Sequence, residues 1–278
     1  MSSNILLTGA TGFVGLHLLQ TLAKRGLHVT VVGRGTRKAE VEAGGLAQRF
    51  VATPDLFSED RQWWQRACQG VDTVVHAAWY AEPGAYLVSD RNFDCLAGTL
   101  EMARGAALAG VRRFVGVGTC FEYEMRDTPL AIDTPLRPAT PFAAAKAAAY
   151  LVLSQWLPRH SVSFAWCRLF YLYGPGEESR RLVPYLRSHL SAGQPVDLNS
   201  GTQVRDYLDV RVAAERIVDI ASGSQHGPVN VCSGVGQSVR EFAERIADEY
   251  GRRDLLRFGA RRDNEIDPPY VVGVNGSR

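Results

Sequence analysis

Paired cysteines, a one-sided charge and a long apolar run are all missing from this chain of 278 residues. Its five cysteines (Cys68, Cys95, Cys120, Cys167 and Cys232) are odd in number, scattered and never spaced C-x-x-C. That pattern fits neither a disulfide framework nor a zinc site, so no metal is expected and the thiols read as reduced and buried. A formal net charge of +2 is too small to draw nucleic acid or an anionic membrane, so any anionic partner must be held by local charges. No run reaches the length that spans a bilayer, and the N-terminus enters NILLTGATGFVG with no basic region or cleavage site before it. The expectation is a cytoplasmic protein with no membrane or nucleic-acid partner. Hydrophobic content of 46% and charged content of 22% describe an ordinary globular chain, large enough for one α/β unit with a smaller annex.

What is present is a regular alternation. NILLTG reads as a buried parallel strand, and FVGLHLLQTLAKRG follows with helical spacing of Val14, Leu18, Leu19 and Leu22, closed by Gly26. HVTVVGR, VDTVVHAAW, RRFVGVGT and SFAWCRLFYLYG repeat the strand form, separated by helical stretches such as GTLEMARGAALAG. Strands alternating with helices predict a Rossmann-type, doubly wound parallel sheet. After Gly174 the texture changes to Pro-, Gly- and Arg-rich sequence, before a further strand at GPVNVCSG and a helix capped by Ser238. The expected division is a dinucleotide-binding domain of residues 1–172, to which 207–233 return, and a smaller interleaved domain of 173–206 and 234–278.

TGATGFVG sets Gly9, Gly12 and Gly15 between the first strand and the first helix. A pyrophosphate must approach the backbone closely there, and the helix N-terminus supplies amide donors and a positive dipole end. The end of the second strand chooses the dinucleotide. An NAD site usually offers a carboxylate to the ribose 2′-hydroxyl. This chain has Gly33 in that place, followed by Arg34, Arg37 and Lys38, which suit a 2′-phosphate and predict NADP(H) rather than NAD(H).

Taken together these stretches resemble the extended short-chain dehydrogenase/reductases, in particular their nucleotide-sugar epimerases, dehydratases and 4-ketoreductases. The likeness runs over nearly the whole chain, through TGATGFVG, PDL at 54–56, VVHAAW, GTCFEY, PFAAAK, RLFYLYGPGE and GTQVRDYLDV. It implies that Gly9, Thr11, Gly12, Phe13, Val14 and Gly15 cradle the dinucleotide and that Asp55 and Leu56 meet its adenine. Ala77, Ala78 and Trp79 would line the cofactor path, with Phe170 near the carboxamide. The family's catalytic set is a Ser/Thr, a Tyr and a Lys, which fall here on Thr119, Phe142 and Lys146. The tyrosine position therefore holds a ring without its hydroxyl. Tyr171 stands where many relatives carry an asparagine that contacts substrate. Arg205 matches a phosphate contact, and Arg181 or Arg180 would add a second. The resemblance also implies a homodimer and a nucleotide-diphosphate sugar as substrate.

The residues after Thr119 narrow the reaction. Cys120 and Phe121 stand where 4,6-dehydratases of this family carry an Asp-Glu pair, so elimination of water is not expected. Hydride transfer with one proton relay remains. With NADP(H), that is reduction of a 4-keto-6-deoxy sugar, slowed by Phe142. A 4-epimerase needs the same groups and is the alternative. A non-catalytic dinucleotide-binding protein and a thiol-based reductase using Cys120 are two further readings.

Overall fold

Apolar side chains alternate between two faces along the opening strands, and that alternation organises the molecule. The computed structural model describes residues 4–38, 41, 44–263 and 268–275. Its first half runs Asn4–Thr8 (β1), Phe13–Lys24 (α1), His28–Gly33 (β2), Arg49–Ala52 (β3), Arg61–Ala67 (α2) and Thr73–His76 (β4). Arg91–Leu108 (α3), Arg113–Thr119 (β5), Pro141–Trp156 (α4) and Ser163–Leu169 (β6) follow. The second half contains Tyr171–Tyr173 (β7), Leu182–Ser191 (α5), Val196–Asp197 (β8), Val204–Asp209 (β9), Val210–Ser222 (α6) and Gly227–Val231 (β10). It closes with Gly236–Ser238 (β11), Val239–Asp248 (α7), Leu256–Arg257 (β12) and Tyr270–Val271 (β13).

Seven strands form one parallel sheet in the order β10-β6-β5-β4-β1-β2-β3. Ile5, Leu7, Val29, Val31, Val75 and Val115 face α1 and α6, where they meet Leu18, Leu22, Ile217 and Val218. Leu6, Val32, Val74 and Phe114 face the other way, onto Trp64, Met102 and Leu153 of α2, α3 and α4. Helices on both faces make the sheet a doubly wound Rossmann-type fold, as the alternation predicts.

Two of the expected strands end earlier than their apolar runs. VDTVVHAAW is a strand only at Thr73–His76, so Ala77, Ala78 and Trp79 leave the sheet as a loop. SFAWCRLFYLYG divides at Phe170: β6 stays in the large sheet, while β7 pairs with β9 in a small sheet with β11 and β13. The capping of α7 is as expected, with Ser238 and Glu241 forming a reciprocal capping box. Val183, Leu186, Leu190, Val196, Phe242 and Ile246 build a separate apolar cluster among α5, β8 and α7. We propose on that ground to keep 173–206 and 234–278 as the second domain, with α6 and β10 belonging to the first. Among the described residues no helix is long and apolar enough to cross a membrane.

Candidate active site

The strand order reverses between β1 and β4, and in doubly wound sheets ligands bind outside the carboxyl ends of the strands at such a point. Three segments meet there: the glycine turn after β1, the Ala77–Trp79 loop after β4, and Thr119 ending β5.

Gly9 has φ of +77°, and a Cβ on it would stand 2.7 Å from the amide nitrogen of Ala78. A Cβ on Gly15 would fall 1.9 Å from the carbonyl oxygen of Gly9, so α1 can approach the turn only with glycine there. Gly12 is the N-cap of α1; no side chain caps this end and no acidic residue lies in the first turn. The amides of Phe13, Val14 and Gly15 therefore meet no competing carboxylate, and Thr11 and Val14 flank them half-buried. These residues fit the pyrophosphate of a dinucleotide.

Beyond β2, Gly33 leads to an exposed Arg34, which caps the short 3-10 turn Gly35–Arg37 ahead of Lys38. Asp55 receives a 2.7 Å hydrogen bond from Arg91 and another from the Phe57 amide. Burial works to raise its pKa, but these bonds and the charges of Arg91 and Arg34 together hold its carboxyl below the usual carboxylate range. Arg91, unmarked in the sequence, thus anchors the residue expected at the adenine. Leu56 packs half-buried against the cluster on the α2–α4 face of the sheet.

Beneath Ala77, His76 is fully buried between two hydroxyls, 2.8 Å from Thr8 Oγ1 and 2.9 Å from Thr99 Oγ1. Thr99 donates to the carbonyl of Cys95 and so accepts from His76 Nε2, which leaves Nδ1 to accept from Thr8. Thr8 Oγ1 in turn accepts the amide of Ala78. Burial, reinforced by the Lys146 charge, pushes the His76 pKa down to about 3, so the ring is a neutral strut below Ala77 and Ala78.

Lys146 and Phe142 lie one helical turn apart on α4, and Trp79 touches both. Lys146 Nζ sits 4.0 Å from the Trp79 ring centroid and donates to the carbonyl of Val117 at 2.5 Å. Burial lowers its pKa to about 8, partly opposed by Glu122 and Cys95, so the group is cationic at neutral pH. Phe142 stands edge-on to Tyr86, with ring centroids 4.9 Å apart, and lies 6.5 Å from Trp79.

Two residues after Val117, Thr119 turns the chain into a 3-10 turn, Cys120–Glu122, which it caps through Oγ1 and the Phe121 amide. Cys120 is therefore buried in a turn, and burial pushes its thiol up to about 12. That removes it as a nucleophile. Glu122 is wholly buried and accepts from the Thr119 amide at 2.9 Å, the Trp166 indole at 2.9 Å and Arg168 Nε at 2.7 Å. Gly116 and Gly118 admit the Trp166 ring, which would lie 2.3 and 2.2 Å from a Cβ at either position. Arg168 Nη1 donates to Tyr123, whose hydroxyl donates to Asn230.

On the far side, Phe170 is buried with Cys120, Tyr123, Cys232 and Val271. Arg205 lies 5.1 Å from the Tyr171 ring centroid and is itself buried. These expected substrate residues come together, whereas Arg181 stands exposed at the head of α5 and Arg180 pairs with Glu178. In the loop before them Glu177 is pushed up to about 7 by burial, against the backbone hydrogen bond with Gly174 and the Arg181 charge. Its Oε2 is buried without a partner among the described residues. His17 Nε2 donates to the Pro175 carbonyl at 2.8 Å and ties this loop to α1. Glu177, His17, His76, Arg91 and Glu122 were not singled out from the sequence.

Over nearly its whole length the chain is similar to known nucleotide-sugar enzymes. The chain is 28% identical to a UDP-glucose 4-epimerase of Streptomyces lividans, covering 100% of this chain and 89% of that protein. It is 22% identical to an NAD(+)-dependent dTDP-6-deoxy-L-talose 4-dehydrogenase of Aggregatibacter actinomycetemcomitans over 98% of this chain and 99% of the other. The solved UDP-glucose 4-epimerase of Thermus thermophilus, in complex with NAD, superposes with a TM-score of 0.81 at 25% identity, covering 98% of this chain and 90% of that one. Residues 5–232, which hold the glycine turn, Thr119, Phe142, Lys146 and Arg205, match the NAD dependent epimerase/dehydratase family, and the chain belongs to it.

Proposed function

We propose that the protein reduces the 4-keto group of a nucleotide-linked 6-deoxy sugar with NADPH. The observation that carries this reading is the turn after Thr119. It carries the Thr119 hydroxyl but no usable carboxylate, because Glu122 is locked by Thr119, Trp166 and Arg168. Such a site supports hydride transfer with a single proton and not dehydration. Gly9, Gly12, Gly15, Ala78 and Trp79 would hold the dinucleotide, with Asp55 and Leu56 at the adenine and Lys146 at the nicotinamide ribose. Bound there, the reduced nicotinamide supplies hydride. Thr119 Oγ1 positions the sugar oxygen by hydrogen bonding, and the buried Lys146 ammonium stabilises negative charge as it develops on that oxygen. Tyr171 and Arg205 would meet the sugar diphosphate.

The 4-epimerase reading rests on the same groups and is favoured by the epimerases among the relatives. The two are separated by assay. The ketoreductase should oxidise NADPH when given CDP-, dTDP-, GDP- or UDP-linked 4-keto-6-deoxy sugars, and Phe142→Tyr should raise kcat about tenfold or more. No gain with any of them, together with interconversion of UDP-hexoses differing at C4, would establish the epimerase instead. Binding of dinucleotide with neither activity would favour a non-catalytic protein.

The preference for NADP(H) is likewise proposed, since the relatives point to NAD. Exposed Arg34 beside a carboxylate-free β2 end supports it. Arg34→Ala should weaken NADPH about tenfold to a hundredfold and leave NADH nearly unchanged. Equal affinities before and after would remove Arg34 from the site. The proposed homodimer is supported by Phe93 and Leu108 on α3 and Leu151 and Val152 on α4, all large and exposed. A monomer by light scattering at micromolar concentration would remove it.

A further inference from the structure

Phe142 leaves the site without a proton donor at that position, yet a phenol lies against its ring. Among the described residues only Trp79 and Tyr86 make ring contacts with Phe142, and Tyr86 is the nearer, with centroids 4.9 Å apart and planes at 87°. The segment that carries Tyr86 is held in place at several points. The Phe142 amide donates to the Leu87 carbonyl at 3.1 Å. Asn92 Nδ2 donates to the carbonyls of Tyr86 at 2.7 Å and Ser89 at 2.8 Å, while its Oδ1 accepts the Trp79 indole at 2.9 Å. The residue that contacts Lys146 and the one that carries the phenol are thus fixed to a single asparagine side chain. Tyr86 is half-buried, and its hydroxyl is neither buried nor bonded within the described residues.

Two other phenols near the site, Tyr123 and Tyr171, are committed elsewhere. The buried Tyr123 hydroxyl donates to Asn230 and accepts from Arg168. Tyr171 packs against Phe121, Tyr207 and Arg205 and makes no ring contact with Phe142.

We propose that Tyr86, on the loop between β4 and α3, donates the proton that the residue at position 142 cannot; this rests on the 4-ketoreductase reading. The carbonyl carbon takes hydride from the reduced nicotinamide dinucleotide as the C=O π bond breaks. The Tyr86 O–H bond breaks, its proton passes to the sugar oxygen, and the phenolate is reprotonated from water. A phenol is much more acidic than a sugar hydroxyl, so proton transfer to the forming alkoxide runs downhill. Reduction needs only this acid.

A double-mutant cycle over Tyr86→Phe and Phe142→Tyr tests the assignment, with NADPH oxidation and calorimetric binding of NADPH and of the nucleoside diphosphate as paired readouts. In the chain with Phe142, Tyr86→Phe should lower kcat about tenfold or more and leave both affinities within about twofold. In the Phe142→Tyr background the same substitution should change kcat less than about threefold, because that background has its own phenol. An equal loss in both backgrounds means a structural role and overturns the proposal. An inactive Phe142 chain beside an active Phe142→Tyr variant keeps the ketoreductase reading and overturns Tyr86 as donor. If all four forms bind both ligands and none turns over any 4-keto sugar, the ketoreductase reading falls and the proposal falls with it.

Discussion

Below about pH 6.5 the protein is expected to lose stability steadily, with His76 as the main cause. The ring is fully buried, accepts from Thr8 and donates to Thr99, and its pKa is held at about 3. The unfolded chain, with an ordinary imidazole, binds a proton between about pH 6.5 and pH 3 that the folded chain refuses. Where the unfolded state binds more protons, stability rises with pH. The neutral ring therefore contributes nothing to pH dependence above 6.5, and stability is lost progressively as pH falls below that value. The full shift corresponds to about 5 kcal/mol, comparable with the whole stability of many domains. Glu177 acts in the opposite sense. Its pKa is raised to about 7, so its burial penalty is relieved as pH falls, although its partial exposure makes this the smaller effect. Asp55 and Asp209, whose carboxyls are held low, lose their contributions only at more acid pH. The window between pH 6.5 and 4.5 thus belongs mainly to His76. Denaturant unfolding at pH 7.0, 5.5 and 4.5 should show the decline, and His76→Gln should flatten it whatever it does to stability at pH 7. Parallel slopes for the two proteins would contradict this account.

The glycine turn was legible because its requirement is local: each glycine answers to a neighbour within a few residues or to the next loop. The sheet was legible for the same reason, as period-two alternation in Ile5, Leu6 and Leu7 is written in consecutive letters. Strand ends were less so. The apolar texture of VVHAAW continues past His76, and only the approach of Gly9 to Ala78 shows why the chain leaves the sheet there. The division at Phe170 depends on β9, which is distant in sequence and draws Tyr171–Tyr173 into another sheet. The chemistry of Glu122 was the least legible. Glu122 lies three residues after Thr119, but nothing local shows that Trp166 and Arg168, on the neighbouring strand, saturate its carboxylate. The paired glycines of GVGT were the available signal, since two Cβ-less positions on one strand face leave a slot for a large ring.

That same pairing yields the other large expected effect. Arg168 and Glu122 are among the most buried charges in the protein, at 1% and 0% side-chain exposure, and they lie 2.7 Å apart. Replacing such a pair with apolar residues can be nearly neutral, but removing one partner leaves a desolvated charge and costs about 3–5 kcal/mol. Arg168→Met is therefore expected to be severely destabilising, because among the described residues Glu122 keeps only the Thr119 amide and the Trp166 indole as donors. Arg168→Met with Glu122→Gln should recover much of the loss, since a neutral amide can still accept from Thr119 and Trp166 without a buried charge. The consequence reaches the reaction through the Thr119 amide, which Glu122 holds. Any shift of Glu122 moves the end of β5 and with it the hydroxyl proposed to position the sugar oxygen. The double variant should thus regain stability more fully than turnover, with the remaining deficit in kcat and little change in dinucleotide affinity. Urea unfolding and steady-state kinetics on the single and double variants decide the matter. A double variant no more stable than Arg168→Met alone would show that Arg168 acts by packing against Tyr123 and Tyr150, its two ring neighbours, and not by balancing Glu122.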